Sequence, residues 1–360
     1  MHHIARALES AGVVVERMGG LQRPRVLINK ALNKIQELAW PGSLHPVERT
    51  MNVAEHMARE IRTRLMNSRC DVVFSPGSIP LALLDTNRPK AFYTDATFSG
   101  ILELYPEYRR YSKRYLKEGH DLEQAALTNC DGIYYSSQWA AESAIDRYKA
   151  DRRKIKVIPF GSNFEAVPSE REAMTMARER SKSRIELLFL AVNWERKGGQ
   201  RVMDIARALN KRGLDIRLRI VGVEPPGEAV PDYVEVHPFI SKNTASGQRK
   251  LAGMIATSHL LLLPTVADCT PIVFCEANSF AVPCFTNNVG GVPSVVHDGV
   301  NGRLFDLKAP ATAWADAIEQ LLVDRKKYQV LAERSREEYQ DRLNWETTGK
   351  RLRACLEGLL

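Results

Sequence analysis

The sequence predicts an α/β protein built as two doubly wound domains, and three observations carry that prediction. Short β-rich apolar runs alternate with helical patterns along the chain, which implies parallel sheets with helices on both faces. At 360 residues the length favours two domains over one, because a domain holds roughly 100–200 residues. The composition, 44% hydrophobic and 26% charged with 18 Pro and 22 Gly, is that of a globular chain and excludes disorder, collagen and a disulfide scaffold. A cleft between two such domains would be available to a ligand.

In chain order, a helix is expected over 3–10, with no strand before it. Strands are expected over 71–74, 91–93, 132–135 and 156–158, with helices over 121–128 and 139–148, completing a first domain over 1–163. The Pro- and Gly-punctuated stretch from Gly161, with the charged run Ser169 to Ser183, reads as the linker. A second domain over 164–344 comes next, with strands over 187–192, 218–221, 234–236 and 260–263 and helices over 200–211 and 313–322. A last helix is expected over 345–360. The longest apolar runs fall far short of the roughly 18 residues a membrane-spanning helix needs, and the start lacks the apolar core of a signal peptide. The reading is of a cytosolic chain. Cys70, Cys130, Cys269, Cys275, Cys284 and Cys355 form no CxxC pair and no metal-ligand spacing, so they read as free thiols.

The formal charge of +8 invites acidic partners, but its distribution is more informative than its sum. Residues 251–300 contain no Lys or Arg, and their only acids are Asp268, Glu276 and Asp298. A segment so poor in charge is largely buried, so each acid it keeps needs a reason.

Ligands of open α/β sheets bind beyond the carboxyl ends of the strands, and four loops there carry distinctive residues. Arg196-Lys197-Gly198-Gly199 places two cations and two glycines before a helix, a phosphate site or else a solvated turn. In Asp268-Cys269-Thr270-Pro271-Ile272-Val273, Pro271 suits a first helical turn and leaves the amides of Ile272 and Val273 to receive an anion. Glu276 then lies on an apolar helix, poised either for a ribose diol or for an Arg partner. Thr286 to Pro293, with Gly290 and Gly291, reads as a strand-to-helix loop. Asp95, after the strand at 91–93, is either a site acid or an N-cap.

Together, WERKGG at 194–199, the D-x7-E spacing of Asp268 and Glu276, and VGGVPSVVHDGVNGRLF at 289–305 resemble the family 4 glycosyltransferases, retaining enzymes of GT-B architecture. The resemblance implies two Rossmann-like domains facing a cleft, the first on the acceptor side and the second holding a nucleotide-diphosphate sugar, with the final helix packing back on the first. It implies donor-binding roles for Arg196, Lys197, Thr270, Ile272, Val273 and Glu276, with Lys197 neutralising the diphosphate and Glu276 on the nucleotide ribose. Asp268 stands where the family carries a Glu near the donor sugar, and Asp95 where many members carry a His facing it; both are the expected catalytic acids. Two departures stand out: an Arg usual five or six positions before the lysine is replaced by Ala191 or Val192, and the family's first strand and Gly-rich loop are not found.

The activity that the resemblance implies is hexosyl transfer from a nucleotide-diphosphate sugar to the hydroxyl of a glycan, lipid-linked or small-molecule acceptor, with no cofactor and no metal required. The alternative on the same fold is a nucleotide-sugar epimerase or a donor-binding protein. A nucleic-acid-binding protein is less favoured: Arg109, Arg110, Lys113, Arg114 and Lys117 interleave with Tyr108, Tyr111 and Tyr115, but no nucleic-acid motif accompanies them. That segment reads as one helix with an inward tyrosine stripe and a basic face, suited to peripheral contact with an anionic membrane.

Overall fold

A computed structural model describes residues 2–21, 46, 48–181, 183–227 and 230–360. The chain divides into two compact units, Met1–Pro159 with Thr348–Leu360, and Phe160–Thr347. Each has its own apolar core.

The first unit contains α1 (His2–Ser10), α2 (Met51–Leu65), β1 (Val73–Ser75), α3 (Ile79–Ala82), β2 (Lys90–Thr94), α4 (Phe98–Leu104), α5 (Lys113–Asn129), β3 (Gly132–Tyr135), α6 (Gln138–Tyr148) and β4 (Ile155–Val157). Its four described strands are parallel in the order β1-β2-β3-β4. All four residues of β3 are buried, as expected of a parallel strand covered on both faces.

The second unit contains α7 (Glu170–Glu179), β5 (Ile185–Leu190), α8 (Trp194–Lys197), α9 (Gly199–Lys211), β6 (Ile216–Val221), β7 (Val234–His237), α10 (Ala245–Thr257), β8 (Leu260–Leu263), α11 (Ile272–Ser279), β9 (Cys284–Asn287), β10 (Gly302–Phe305), α12 (Ala311–Val323) and α13 (Arg325–Arg342). A final helix, α14 (Trp345–Glu357), starts in this unit and ends in the first. The sheet is parallel in the order β10-β9-β8-β5-β6-β7, so the chain winds outward one way from β5, then returns to β8 and winds the other way. The carboxyl ends of β5 and β8 therefore flank the reversal point, where open α/β sheets bind ligands. β8 is four leucines, all buried, at about 1.5–3 kcal/mol of apolar burial each.

Two expectations are corrected here. The charged run assigned to the linker is α7: Ser169 accepts from the Glu172 amide while Glu172 reaches back to the Ser169 amide, a capping box. Its buried Ala173 and Ala177 pack with Ala281 and Ala332. The Tyr105–Lys117 segment is not one helix. A 3-10 turn over Pro106–Arg110 ends in extended backbone at Tyr111, and Ser112 caps α5 by accepting from the Tyr115 amide. Tyr108 and Tyr111 stack with centroids 5.1 Å apart, and only Tyr115 of the expected stripe is fully buried. The basic face is partly neutralised, with Arg114 on Glu118 at 2.7 Å and Lys117 on Asp121 at 3.0 Å. The side chain of Arg109 lies outside the described residues.

Candidate donor site

At the carboxyl edge of the second sheet, the loops after β5 and β8 are bound to each other by their backbones. The Val266 amide donates to the Arg196 carbonyl at 2.9 Å, and Thr265 Oγ1 donates to the carbonyls of Arg196 and Ala267, both at 3.1 Å. Gly198, at φ +78°, closes α8; a Cβ there would stand 2.1 Å from the Pro264 carbonyl oxygen, and one on Gly199 2.3 Å from the Trp194 ring. The glycine pair is therefore required for the left-handed turn and for close packing of the two loops.

This packing brings together three of the residues singled out in the sequence. Lys197 Nζ donates to Asp268 Oδ2, while Arg196 lies 3.9 Å from the same oxygen and donates to the Ala267 carbonyl at 3.0 Å. Asp268 is 7% exposed, and its carbonyl accepts from the Gly291 amide at 3.1 Å, which ties the Gly290-Gly291 turn to the same point. Two cations against one carboxylate leave a positive charge over. To this the amino terminus of α11 adds roughly half an elementary charge.

Pro271 stands at the N-cap of α11, one position earlier than expected, with φ −74° and ψ 103°. The first amides of the helix, those of Ile272 and Val273, have no partner within the helix by its geometry. Thr270 is 8% exposed, and its hydroxyl donates to the Cys269 carbonyl at 2.7 Å. Glu276 is 2% exposed and is paired with Lys242 Nζ at 2.5 Å, where the sequence suggested an Arg. Thr286 and Asn287, expected in a loop, are the end of β9. Asn287 Nδ2 donates to the Pro264 and Thr265 carbonyls, both at 3.1 Å, and so braces the loop that carries Asp268. The helix expected after it is a single 3-10 turn over Val292–Ser294.

Asp95 belongs to the first unit, where it follows β2 and is partly exposed. It does not cap α4. That role falls to Thr97, which accepts from the Gly100 amide at 3.0 Å. Among the described residues no group of three or more His, Cys, Asp or Glu side chains is placed to hold a metal ion.

Thr265 was not singled out in the sequence, Asn287 only as part of the loop from Thr286, and Lys242 only as the end of the stretch 239–242 expected at the base pocket, not as the partner of Glu276. The signal for that pairing was indirect: a fifty-residue stretch without Lys or Arg that keeps Glu276 must take its counter-charge from elsewhere in the chain.

Residues 171–338 match the family described as Glycosyl transferases group 1. A D-inositol 3-phosphate glycosyltransferase of Xylanimonas cellulosilytica is 28% identical over 221 residues, 56% of this chain and 51% of that protein. The chain thus spans about half the length of that relative. The protein of the same name from Paenarthrobacter aurescens is 25% identical over 311 residues, 80% of this chain and 73% of the relative. HepE from Anabaena, solved in complex with UDP and glucose, superposes with a TM-score of 0.60 at 18% identity, covering 87% of this chain and 84% of HepE. The fold is GT-B.

Proposed function

From its relationship to the family 4-type glycosyltransferases, we propose that this chain transfers a sugar, with retention, from a nucleoside-diphosphate donor to an acceptor hydroxyl. The observation that carries the reading is the convergence of Arg196, Lys197 and Asp268 at the point where the second sheet reverses its strand order. A diphosphate at that point draws Lys197 from the Asp268 carboxylate and meets the amides of Thr270, Ile272 and Val273 at the start of α11. Glu276 takes the ribose diol, the role implied by the family resemblance.

The chemistry is set by where charge develops. The acceptor oxygen bonds to the anomeric carbon on the face from which the diphosphate leaves. The carbon–oxygen bond to the diphosphate breaks, and the acceptor proton passes to the departing phosphate oxygen. Lys197 and Arg196 stabilise the leaving charge, which in other enzymes falls to a divalent cation. Asp268 and Asp95 are the proposed acids at the transferred sugar. Contact of Arg110, Lys113, Arg114 and Lys117 with an anionic membrane surface belongs to the same proposal, and its readout is co-sedimentation with anionic vesicles that salt reverses.

The test is donor turnover with the Lys197→Ala variant. Removing one donor to a developing oxyanion costs about 10²–10³-fold in rate, and a loss of that size is expected, while chelator leaves the wild-type rate unchanged. Wild-type turnover in Lys197→Ala would overturn the assignment.

A further inference from the structure

The pair formed by Lys242 and Glu276 is a part of this site that the family resemblance does not assign. α11 is apolar on nearly every side, with Phe274, Cys275 and Ala277 at 0% exposure, and Glu276 among them at 2%. A carboxylate buried that deeply needs a counter-charge. With no Lys or Arg between 251 and 300, it comes from Lys242, in the loop after β7.

That loop is held by its own contacts. Gln248 Nε2 donates to the Lys242 carbonyl at 2.9 Å, and Gln248 Oε1 accepts from the Glu165 amide at 3.0 Å. The Gly247 amide donates to Thr244 Oγ1 at 3.1 Å. A Cβ on Gly247 would stand 2.0 Å from the Ser241 carbonyl oxygen, so the first turn of α10 and the loop before it are in direct backbone contact. The stem of Lys242 lies at the surface, its side chain 37% exposed, while its ammonium reaches inward to Glu276 Oε1 at 2.5 Å. Among the described residues Glu276 Oε2 takes no hydrogen bond. A carboxylate offers about four acceptor positions, so a diol can engage Oε2 and the second lone pair of Oε1 with the lysine still in place.

We propose that Lys242 is a positioning residue for the nucleotide: it fixes the Glu276 carboxylate in the orientation that receives a ribose diol, so donor affinity depends on it and turnover does not. The proposal rests on the reading that Glu276 meets the ribose, and the test separates the two. Uridine, guanosine and adenosine diphosphates are compared by calorimetric titration, and the tightest binder is set against its 2′,3′-dideoxy counterpart. The wild-type chain is expected to prefer the ribose form about tenfold. Lys242→Met is expected to lose that preference by weakening only the ribose form, with the dideoxy form bound as before. Donor KM rises about tenfold and kcat stays within twofold. Lys242→Arg restores most of the preference, since a guanidinium supplies the same charge and donors.

Equal weakening of both forms by Lys242→Met would place the lysine on the base or the phosphates and overturn the proposal, as would no change in either. A wild-type chain that binds both forms alike, or none of the three diphosphates, would overturn the ribose role of Glu276 and the proposal with it. If Lys242→Met does not fold, the double variant Lys242→Met/Glu276→Gln removes the stranded charge. It should bind the dideoxy form as wild type does and the ribose form no better, and a retained ribose preference would refute the assignment.

Discussion

At the amino-terminal edge of the second sheet Arg180 is 4% exposed and its guanidinium meets only neutral acceptors. It donates to the carbonyls of Ala256 at 3.2 Å, Ala281 at 2.8 Å and Phe280 at 2.6 Å, and to the Tyr328 hydroxyl. At the carboxyl edge Lys197 and Lys242 each meet a buried carboxylate. The first arrangement is fixed, since four of the cation's five donors are spent on backbone groups just before β8 and β9 and on α13. The second is exchangeable, because an arriving anion or diol competes for the same partners. One sheet thus buries positive charge as a fastening at one edge and as a binding surface at the other.

Substituting one cation at each edge is the most direct way to break this comparison, and it gives the largest effects. Arg180→Met strands four acceptors, at about 1–3 kcal/mol for each left unsatisfied. Some relax or reach water, so urea unfolding should lose about 4 kcal/mol while kcat at low temperature stays near wild type. Lys197→Met should do the reverse, with transfer falling about 10²–10³-fold and stability changing by less than about 1 kcal/mol, since Arg196 remains 3.9 Å from Asp268. An Arg180→Met chain of full stability, or a Lys197→Met chain that does not fold, would erase the distinction.

The same fastening predicts a pH dependence. His259, 3% exposed, accepts from the Glu186 amide through Nδ1 at 3.0 Å. Its Nε2 faces the Ser181 carbonyl at 2.9 Å, so the neutral ring carries its proton there. Burial first, and then the nearby Arg180 and Arg325 charges, push this imidazole down to about 4 from the usual 6.5. Between those values the unfolded chain binds the proton that the folded one refuses, so stability rises with pH across the interval and is lost as pH falls from about 6.5 towards 4. At 1.36 kcal/mol per pH unit the whole effect is about 3 kcal/mol. Unfolding free energies at pH 7.5 and pH 5 should differ more in wild type than in His259→Gln, and equal slopes would show that the ring is not held neutral.

Much of this was legible in the sequence, and the parts that were not have physical causes. The strands were readable because parallel strands covered on both faces are continuous apolar runs, as in the four leucines of β8. Lys197 and Asp268 were readable because their loops come directly after strands that meet at a reversal. The pairing of Lys242 with Glu276 was not, because the two lie 34 residues apart and no periodicity links them. Nor was Arg180, three of whose four acceptors are backbone carbonyls that any sequence would supply. α7 was misread because its charge suggested a linker, although Ser169 and Glu172 already had the spacing of a capping box.

That capping box gives the smallest predicted effect and the finest test of the fastening. α7 ends at Glu179, and its C-cap residue is Arg180, whose amide donates to the Met176 carbonyl. The helix is thus secured at its start by Ser169 and at its end by the guanidinium that grips the sheet. Replacing a capping Ser by Ala costs about 1 kcal/mol, and Ser169→Ala should lose about that much in urea unfolding with wild-type transfer. In an Arg180→Met background the loss should shrink, since a helix no longer anchored at its carboxyl end contributes less folded structure for the cap to support. A double-mutant cycle that comes out additive would mean that the Ser169 cap and the Arg180 fastening act independently, and that α7 is held by its alanine face alone.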